Sequence, residues 1–452
     1  MRIVKAGIAV LCVAFLSGCS IYKEYERPQL EQTADAFGIA VKDTTTIADI
    51  SWKDFFNDPI LRKLIEEGLK NNPDIRISAK KVLEAEAAMK IARLNWLPQF
   101  NFSPSFGDTF SQERYSGNAY SFSVPGTMSW ELDLTGKLLN ERRRAKAVYE
   151  QAEIYNLTVQ TELISSIANC YYTLLKLDAQ LDISETTSAN WKENLRIMRA
   201  MKEAGMTNEA SVSQTEANAC SIEASLYDLH YQIKQMENTM AMLLGRTPGT
   251  FERGKLRNEK LPASLAFGVP AQLLSKRPDV MNAEYDLRKA YYDTAIARSA
   301  FYPSLRLTGE IGWEKALTSA AGLLFSAGAS SLTPIFNGGR VRGNVKIAEA
   351  RQEEALENFR KSILRAGNEV NDALALCESA EGKTEVRKQQ IAALESAVTS
   401  TKSLMSHSES TYLEVLTAQQ SLLNARLQQV TDRYDAVRGK IALYRALGGG
   451  IK

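Results

Sequence analysis

The stretch "NPDIRISAKKVLEAEAAMKIARLNWLP" (residues 72–98) is written a second time as "RPDVMNAEYDLRKAYYDTAIARSAFYP" (residues 277–303). Both copies open on Pro-Asp and a β-branched residue (Pro73, Asp74, Ile75; Pro278, Asp279, Val280), share Ile-Ala-Arg (Ile91 to Arg93; Ile296 to Arg298) and close on Pro98 or Pro303. The register holds without a gap between those prolines, so each copy reads as the opening helix of one half of a duplicated chain.

Working outward, the rest of each half is also matched. None of the 12 prolines falls between Pro125 and Pro248, and none follows Pro334. From Lys137 to Ala204 there is neither Gly nor Pro over about 68 residues, a rod of order 100 Å if it is one helix at 1.5 Å per residue. The second window begins after Gly338 and Gly339 and runs to about His407, with Gly343, Gly367 and Gly382 as tolerated interruptions. Leu423, Leu427, Val430, Tyr434, Val437, Ile441 and Tyr444 recur at intervals of four and three, the heptad rhythm of knobs-into-holes packing, and Ile164, Ile167, Tyr171 and Leu174 repeat it in the first half. Gly205-Met206-Thr207-Asn208 separates the first long helix from a partner over about Glu209 to Leu244, and Ser406 to Ser410 takes the same place in the second half. Each half is predicted to carry a long antiparallel helical hairpin.

Between opening helix and hairpin the period changes from helix to strand. Phe100, Phe102, Phe106 and Phe110 share one parity; Tyr120, Phe122 and Val124, then Met128, Trp130 and Leu132, continue the alternation. Leu305, Leu307, Ile311 and Trp313 alternate likewise, and a weaker segment covers about Leu324 to Ile335. Apolar residues on one face and Ser, Thr, Asn, Gln or Asp on the other suit a membrane barrel with lipid outside and water inside. Four strands cannot close one, since about eight are needed to fill even a small barrel. Three copies would supply twelve strands and twelve hairpin helices.

The first residues set the compartment. Arg2 and Lys5 precede an apolar run from Ile8 to Leu16, too short for a permanent span and right for a secretory signal. It ends in Leu16-Ser17-Gly18-Cys19, which resembles a bacterial lipobox, with Cys19 left as an acylated N-terminus and Ser20 suiting outer-membrane sorting. Acyl chains contribute roughly 0.8 kcal/mol per buried CH₂, so two or three anchor firmly. Beyond that diacylglycerol and N-acyl lipid no cofactor is expected. Cys12 leaves with the signal, and Cys170, Cys220 and Cys377 read as small buried apolar residues, not as a disulfide framework or metal site. A net charge of +2 over 452 residues gives no reason to expect nucleic acid.

The lipobox, the duplicated Pro-Asp helices, the paired strands and "TYLEVLTAQQSLLNAR" (Thr411 to Arg426) together resemble the outer-membrane efflux proteins related to TolC, in the lipoprotein branch that serves resistance-nodulation-division pumps. The likeness extends from "SWKDFFNDPILRKLIEEGL" (Ser51 to Leu69) to "ALGGG" (Ala446 to Gly450). It implies a mainly α chain with a membrane β-barrel: a homotrimer whose coiled-coil hairpins form a periplasmic helical barrel under a 12-stranded β-barrel, with an equatorial belt. The expected divisions are 1–18, signal peptide; 19–72, anchor and equatorial segment; 73–271, first repeat, with strands at about 99–135 and a hairpin at about 137–244; and 272–452, second repeat, with strands at about 304–337 and a hairpin at about 340–447.

The resemblance also implies an acidic ring at the periplasmic aperture. The "LDVL"-like motif reads Leu413-Glu414-Val415-Leu416 here, which makes Glu414 the candidate, with Thr417 one turn on where some members carry aspartate and Ser211 as the uncharged first-half equivalent. The tips, Gly205, Met206 and Thr207 in the first half and Ser408, Glu409 and Ser410 in the second, are where an adaptor would dock; Ser408 replaces a glycine common at that place. A glutamate at a helix start is otherwise a solvated residue favourable to the helix dipole. Arg142-Arg143-Arg144 reads as a solvated basic face or as a contact to inner-leaflet phosphates, Trp130 and Trp313 as interfacial belt or loop packing, and Met201 and Met206 as hydrophobic contacts or as copper-export ligands near the tip.

An enzyme is not expected: the only histidines are His230 and His407, and no metal-protease, phosphate-loop or nucleophile motif is present. The sequence alone leaves open a lipid-anchored periplasmic adaptor, a passive envelope brace, and a type I secretion exit duct in place of small-molecule efflux. The partners expected are two further copies, a periplasmic adaptor, an inner-membrane transporter and outer-membrane lipid.

Overall fold

A computed structural model describes residues 23–28, 50–109, 119–256, 277–315, 322–332, 337–406 and 412–449. The signal peptide, Cys19, Phe110 and the second-tip residues Ser408, Glu409 and Ser410 lie outside the described residues. Among those described, the order is α1 (Trp52–Phe55), α2 (Pro59–Asn71), α3 (Pro73–Leu94), β1 (Gln99–Phe102), β2 (Ser105–Thr109), β3 (Ala119–Leu132), α4 (Lys137–Glu203), α5 (Glu209–Leu244), α6 (Pro278–Ser299), β4 (Ser304–Lys315), β5 (Gly322–Leu332), α7 (Arg340–Ser406) and α8 (Tyr412–Ala446). Helices α4 and α7 are each 67 residues long, and the interior Gly343, Gly367 and Gly382 do not interrupt α7.

The duplicated opening shows how each half is tied. Asn72 caps α3, its Oδ1 accepting from the Asp74 and Ile75 N–H groups at 2.7 and 3.3 Å, while its Nδ2 donates to the Leu243 carbonyl at the end of α5 (2.9 Å). Arg277 holds the same place in the second half and donates through Nη1 to the Ala446 carbonyl at the end of α8 (2.6 Å). Two different side chains thus close the same joint. Helix α5 ends on Gly245 with φ +68°, where the Gly245 and Arg246 N–H groups reach back to the Met242 and Ala241 carbonyls. A Cβ there would sit 2.6 Å from the Asn71 carbonyl oxygen. Gly205, which ends α4 with φ +71°, has no atom within 4 Å of such a Cβ. Gly245→Ala is therefore expected to lower stability clearly more than Gly205→Ala, whose cost is the left-handed backbone alone, roughly 1 kcal/mol; thermal melts of the two variants in detergent check the order.

Two compact units can be described separately. The first contains residues 23–28, 80–154 and 282–361; the second contains 50–79, 155–256, 277–281 and 362–449 among the described residues. In the second unit the heptad residues are the core: Ile164, Ile167, Tyr171 and Leu174 on α4 meet Val430, Val437, Ile441 and Tyr444 on α8 in one buried cluster with Phe55, Phe56, Leu61 and Ile65. Each such side chain contributes roughly 1.5–3 kcal/mol on burial. Phe55 stacks on Tyr444 at 4.1 Å, and Asp58 both caps α2 and accepts from the Tyr171 hydroxyl at 2.6 Å. Cys170 is buried in this core with its thiol pushed up to about 12 by burial, and Cys377 is half-buried. Cys220 is exposed, so the reading of all three as buried apolar residues fails at that position: it lies on the solvent side of α5, one residue past the buried Ala219.

In the first unit, α6 lies between α4 and α7. Arg288 pairs with Glu150 of α4 at 2.9 Å and Asp293 with Arg144 at 2.6 Å; on its other side Arg298 pairs with Glu349 of α7 at 2.7 Å and Thr294 donates to the Ala348 carbonyl. The basic triplet is thus partly engaged: Arg144 belongs to this seam and Arg143 approaches Glu24 at 4.0 Å, rather than all three forming a solvated face. The segment 23–28 is fixed to the same helices through Arg27–Glu284 (3.3 Å) and the Tyr291 hydroxyl, which donates to the Lys23 carbonyl.

Candidate functional site

The sheet is fully antiparallel. β1 and β2 both pair with β3, on either side of a break at Ser103-Pro104, and β3 pairs with β4 and β4 with β5. Proline lacks the N–H a ladder needs, which is why this edge strand is split. Register places Phe100 beside Met128, Phe106 beside Phe122, Val124 beside Trp313, Trp130 beside Leu307, Ile311 beside Phe325 and Trp313 beside Leu323. All of these share one face. Phe100, Phe106 and Phe325 are 74%, 73% and 77% exposed, so among the described residues this oily face stays largely open.

The opposite face carries Asn101, Ser123, Thr127, Ser129, Glu131, Arg306, Thr308, Glu310, Ser326 and Ser330 by the same register. Glu131 lies between Lys137 (3.0 Å) and Arg306 (3.7 Å). Leu324, paired with Gly312, is an apolar exception on this polar side. Trp130 donates through Nε1 to the Trp96 carbonyl at 2.9 Å, the loop-packing reading, whereas Trp313 stands 54% exposed on the oily face. Along the β1/β2 edge and along β5, no strand among the described residues completes the ladder.

The aperture candidates sit at the beginnings of α5 and α8. Val415 and Leu416 are buried, Leu416 packing with Trp191, Ala219, Ile222 and Leu423, so Glu414 and Thr417 are turned to the exposed side of α8. Thr417 donates back to the Leu413 carbonyl at 2.8 Å. Ser211 is held in the first turn of α5 by Asn208, whose Oδ1 accepts from its N–H at 3.0 Å. At the first tip, Met206 closes the turn by donating its N–H to the Met201 carbonyl, and the residue is 71% exposed. Thr207 is half-buried beside it, and Lys202 pairs with Glu209 across the turn.

Sequence reasoning missed the ionic ties within the hairpins. Arg253 bridges Asp178 of α4 (2.5 Å) and the buried Glu237 of α5 (2.8 Å), and Arg387 of α7 pairs with Asp432 of α8 at 2.8 Å. Asp432 is 2% exposed and lies between heptad positions, which gave no apolar signal to mark it.

A sheet oily on one side, wet on the other and with both edges unpaired among the described residues, in a chain that also has coiled-coil hairpins, defines a wall segment of a membrane pore. The sequence profile of the outer membrane efflux proteins matches residues 64–246 and 269–449, one match per repeat. The chain belongs to the outer membrane efflux protein family, a family of transport ducts, and is an outer-membrane efflux channel. It is 32% identical to the cation efflux system protein CusC of Escherichia coli, over 97% of each chain. It is 29% identical to the probable outer membrane lipoprotein SilC of Salmonella typhimurium and to the solvent efflux pump outer membrane protein SrpC of Pseudomonas putida, in both cases over 98% of each chain. A solved structure of CusC superposes with a TM-score of 0.81 at 29% identity, covering 96% of this chain and 100% of that one.

Proposed function

We propose that three copies of the chain make the complete duct: a passive conduit carrying small molecules outward, driven by an inner-membrane transporter of the resistance-nodulation-division type and opened by a periplasmic adaptor at the helix tips. The observation that carries this is the sheet, with an oily face and two edges unpaired among the described residues, which closure with further copies turns into a barrel. Cys19 would hold the covalent lipid. The names of the relatives, cation efflux for CusC and solvent efflux for SrpC, bracket the cargo without choosing it, because a water-filled tube needs few specific contacts. The reading is tested by the protein mass of the detergent-extracted product, corrected for bound detergent: a trimer is expected, and a monomer that stays soluble without detergent overturns the duct.

Three Glu414 carboxylates around one axis would attract cations and repel anions at the narrowest point. Glu414→Ala is expected to raise single-channel conductance or shift ion selectivity toward anions in planar bilayers. Traces unchanged in both respects would remove Glu414 from the aperture.

A further inference from the structure

The seam between α6 and α7 holds a cavity of about 630 Å³, within the range of small-molecule sites. The two helices are antiparallel, α6 leading into β4 and α7 leading away from β5, and the bond from Thr294 to the Ala348 carbonyl fixes their register. Ala290 therefore comes level with Arg351, and Asp286 with Ala355. Ala290, Ala297, Ala348 and Ala355 leave the floor open, and charged side chains line the walls above it at two levels. Near Ala290 stand Arg144, Lys289 and Arg351, with Asp293 among them: burial raises the pKa of its carboxyl, while these three cations act the other way, and Arg144 pairs with it at 2.6 Å. About 5 Å further along, one helical turn, stand Asp286 and Glu354. Lys289 pairs with Asp286 at 2.7 Å, which leaves the exposed Arg351 and Glu354 without an ion pair among the described residues.

The first half does not repeat this pattern. At the equivalent seam, α3 against α4, Val148 stands for Arg351, Gln151 for Glu354 and Tyr155 for Asn358, so each chain has one such groove. Its direction follows from the segment 23–28, which comes after the expected lipid anchor and so runs outside a tube; it is fixed to Glu284 and Tyr291. Asp286 and Asp293 lie two and nine residues beyond Glu284, about 200° and 180° around the helix. The groove thus opens on the opposite side of α6, which in the trimeric duct is the lumen.

We propose that this groove is a dwell site for small amphoteric solutes in transit, molecules with an apolar body and opposite charges about 5 Å apart, the spacing of the two levels. The anionic group sits between Arg351 and Lys289, the cationic group between Glu354 and Asp286, and the apolar body lies on the alanine floor. The inference rests on the duct reading for its place in a lumen but not for its chemistry, since all the lining residues belong to one chain. A site on a conduit must be strong enough to draw a solute in and weak enough to let it leave.

The probe is Nε-dansyl-lysine, a fluorescent apolar body with a zwitterionic head, set against dansylglycine, which carries only the carboxylate, and dansylcadaverine, which carries only the ammonium. With full-length protein in lipid nanodiscs and empty discs as the blank, the zwitterion should titrate to one saturable site per chain and bind more tightly than either control. Arg351→Gln and Glu354→Gln should each weaken it about fivefold, the size of one half-exposed charge pair. Ala290→Trp, which fills the floor, should abolish binding. Protein that is trimeric by light scattering but binds no zwitterion, binds all three probes alike, or binds equally well in the two glutamine variants overturns the groove and leaves the duct standing. Monomeric protein that shows the expected binding pattern overturns the duct, and with it the place in a lumen, while the site itself stands.

Discussion

Arg277→Ala is expected to destabilise the protein by about 3 kcal/mol, the lower end of the cost of stripping one partner from a buried ionic cluster. The guanidinium is 5% exposed and holds three acceptor groups through four atoms: both oxygens of Asp279 (3.0 and 2.7 Å), Glu369 of α7 (2.7 Å) and the Ala446 carbonyl (2.6 Å). Removing it leaves the Glu369 carboxylate without its buried donor and the last turn of α8 without its tie to α6. The lower end applies because Asp279 keeps 43% of its side chain in solvent.

Asparagine at the same position separates the two roles. Asn72 shows that an amide can both cap the Pro-Asp helix and donate to the carbonyl at the end of the hairpin, so Arg277→Asn should recover the joint but not the charge. Its stability is expected between wild type and Arg277→Ala. Acid dependence distinguishes them further. Burial raises the pKa values of Asp279 and Glu369, but the hydrogen bonds and charge of Arg277 outweigh it and hold both carboxyls below their ordinary range. Groups depressed in the folded state stabilise it above their unfolded pKa values, about 4, and lose that contribution as pH falls through the lower folded values. The wild type should therefore keep the full contribution down to about pH 4. In either Arg277 variant the lowering by Arg277 is lost, both folded pKa values rise relative to the wild type, and the loss of stability below about pH 4 that these two carboxyls cause should shrink, giving a flatter acid limb. Melting temperature against pH is the measurement; superimposable profiles would exclude the cluster as their source.

That joint also shows where the sequence ran out. The repeat of Pro-Asp was plain on reading, and so were the long helices, because proline exclusion and heptad spacing are local signals that accumulate over many residues. The alternation of the strands was legible for the same reason, down to which face each of Phe100, Phe106, Trp130 and Ile311 would share. What could not be read was any contact between residues far apart in the chain. Nothing marks Arg277, Arg253 or Asp432 as buried ions, since charged residues are ordinarily solvated and only the fold decides which few are enclosed. The split of the first strand at Pro104 was visible in principle, because proline within a strand pattern signals an edge. The orientation of Glu414 followed from its buried neighbours Val415 and Leu416, which the motif names but periodicity alone does not place.

The sheet makes the second large prediction, a contrast between its two faces. Ile311 sits on the oily side between Gly126 and Phe325, and Thr308, three residues earlier on the same strand, sits on the polar side between Ser129 and Gly328. An arginine on the lipid face of a barrel costs roughly 2–4 kcal/mol near the bilayer midplane, falling toward the interfaces. Three copies multiply that cost in one assembly, so Ile311→Arg should sharply reduce the folded trimer recovered from outer-membrane fractions. Thr308→Arg introduces the same side chain where the proposed barrel holds water, and the cost of burying the charge in hydrocarbon does not arise. That variant should assemble at near wild-type yield but carry less current, with selectivity moved toward anions. Yield on gels without heating and conductance in planar bilayers read the two outcomes separately. If Thr308→Arg abolished assembly while Ile311→Arg did not, the assignment of lipid and water to the two faces would have to be reversed, and the barrel would no longer account for the alternation of its strands.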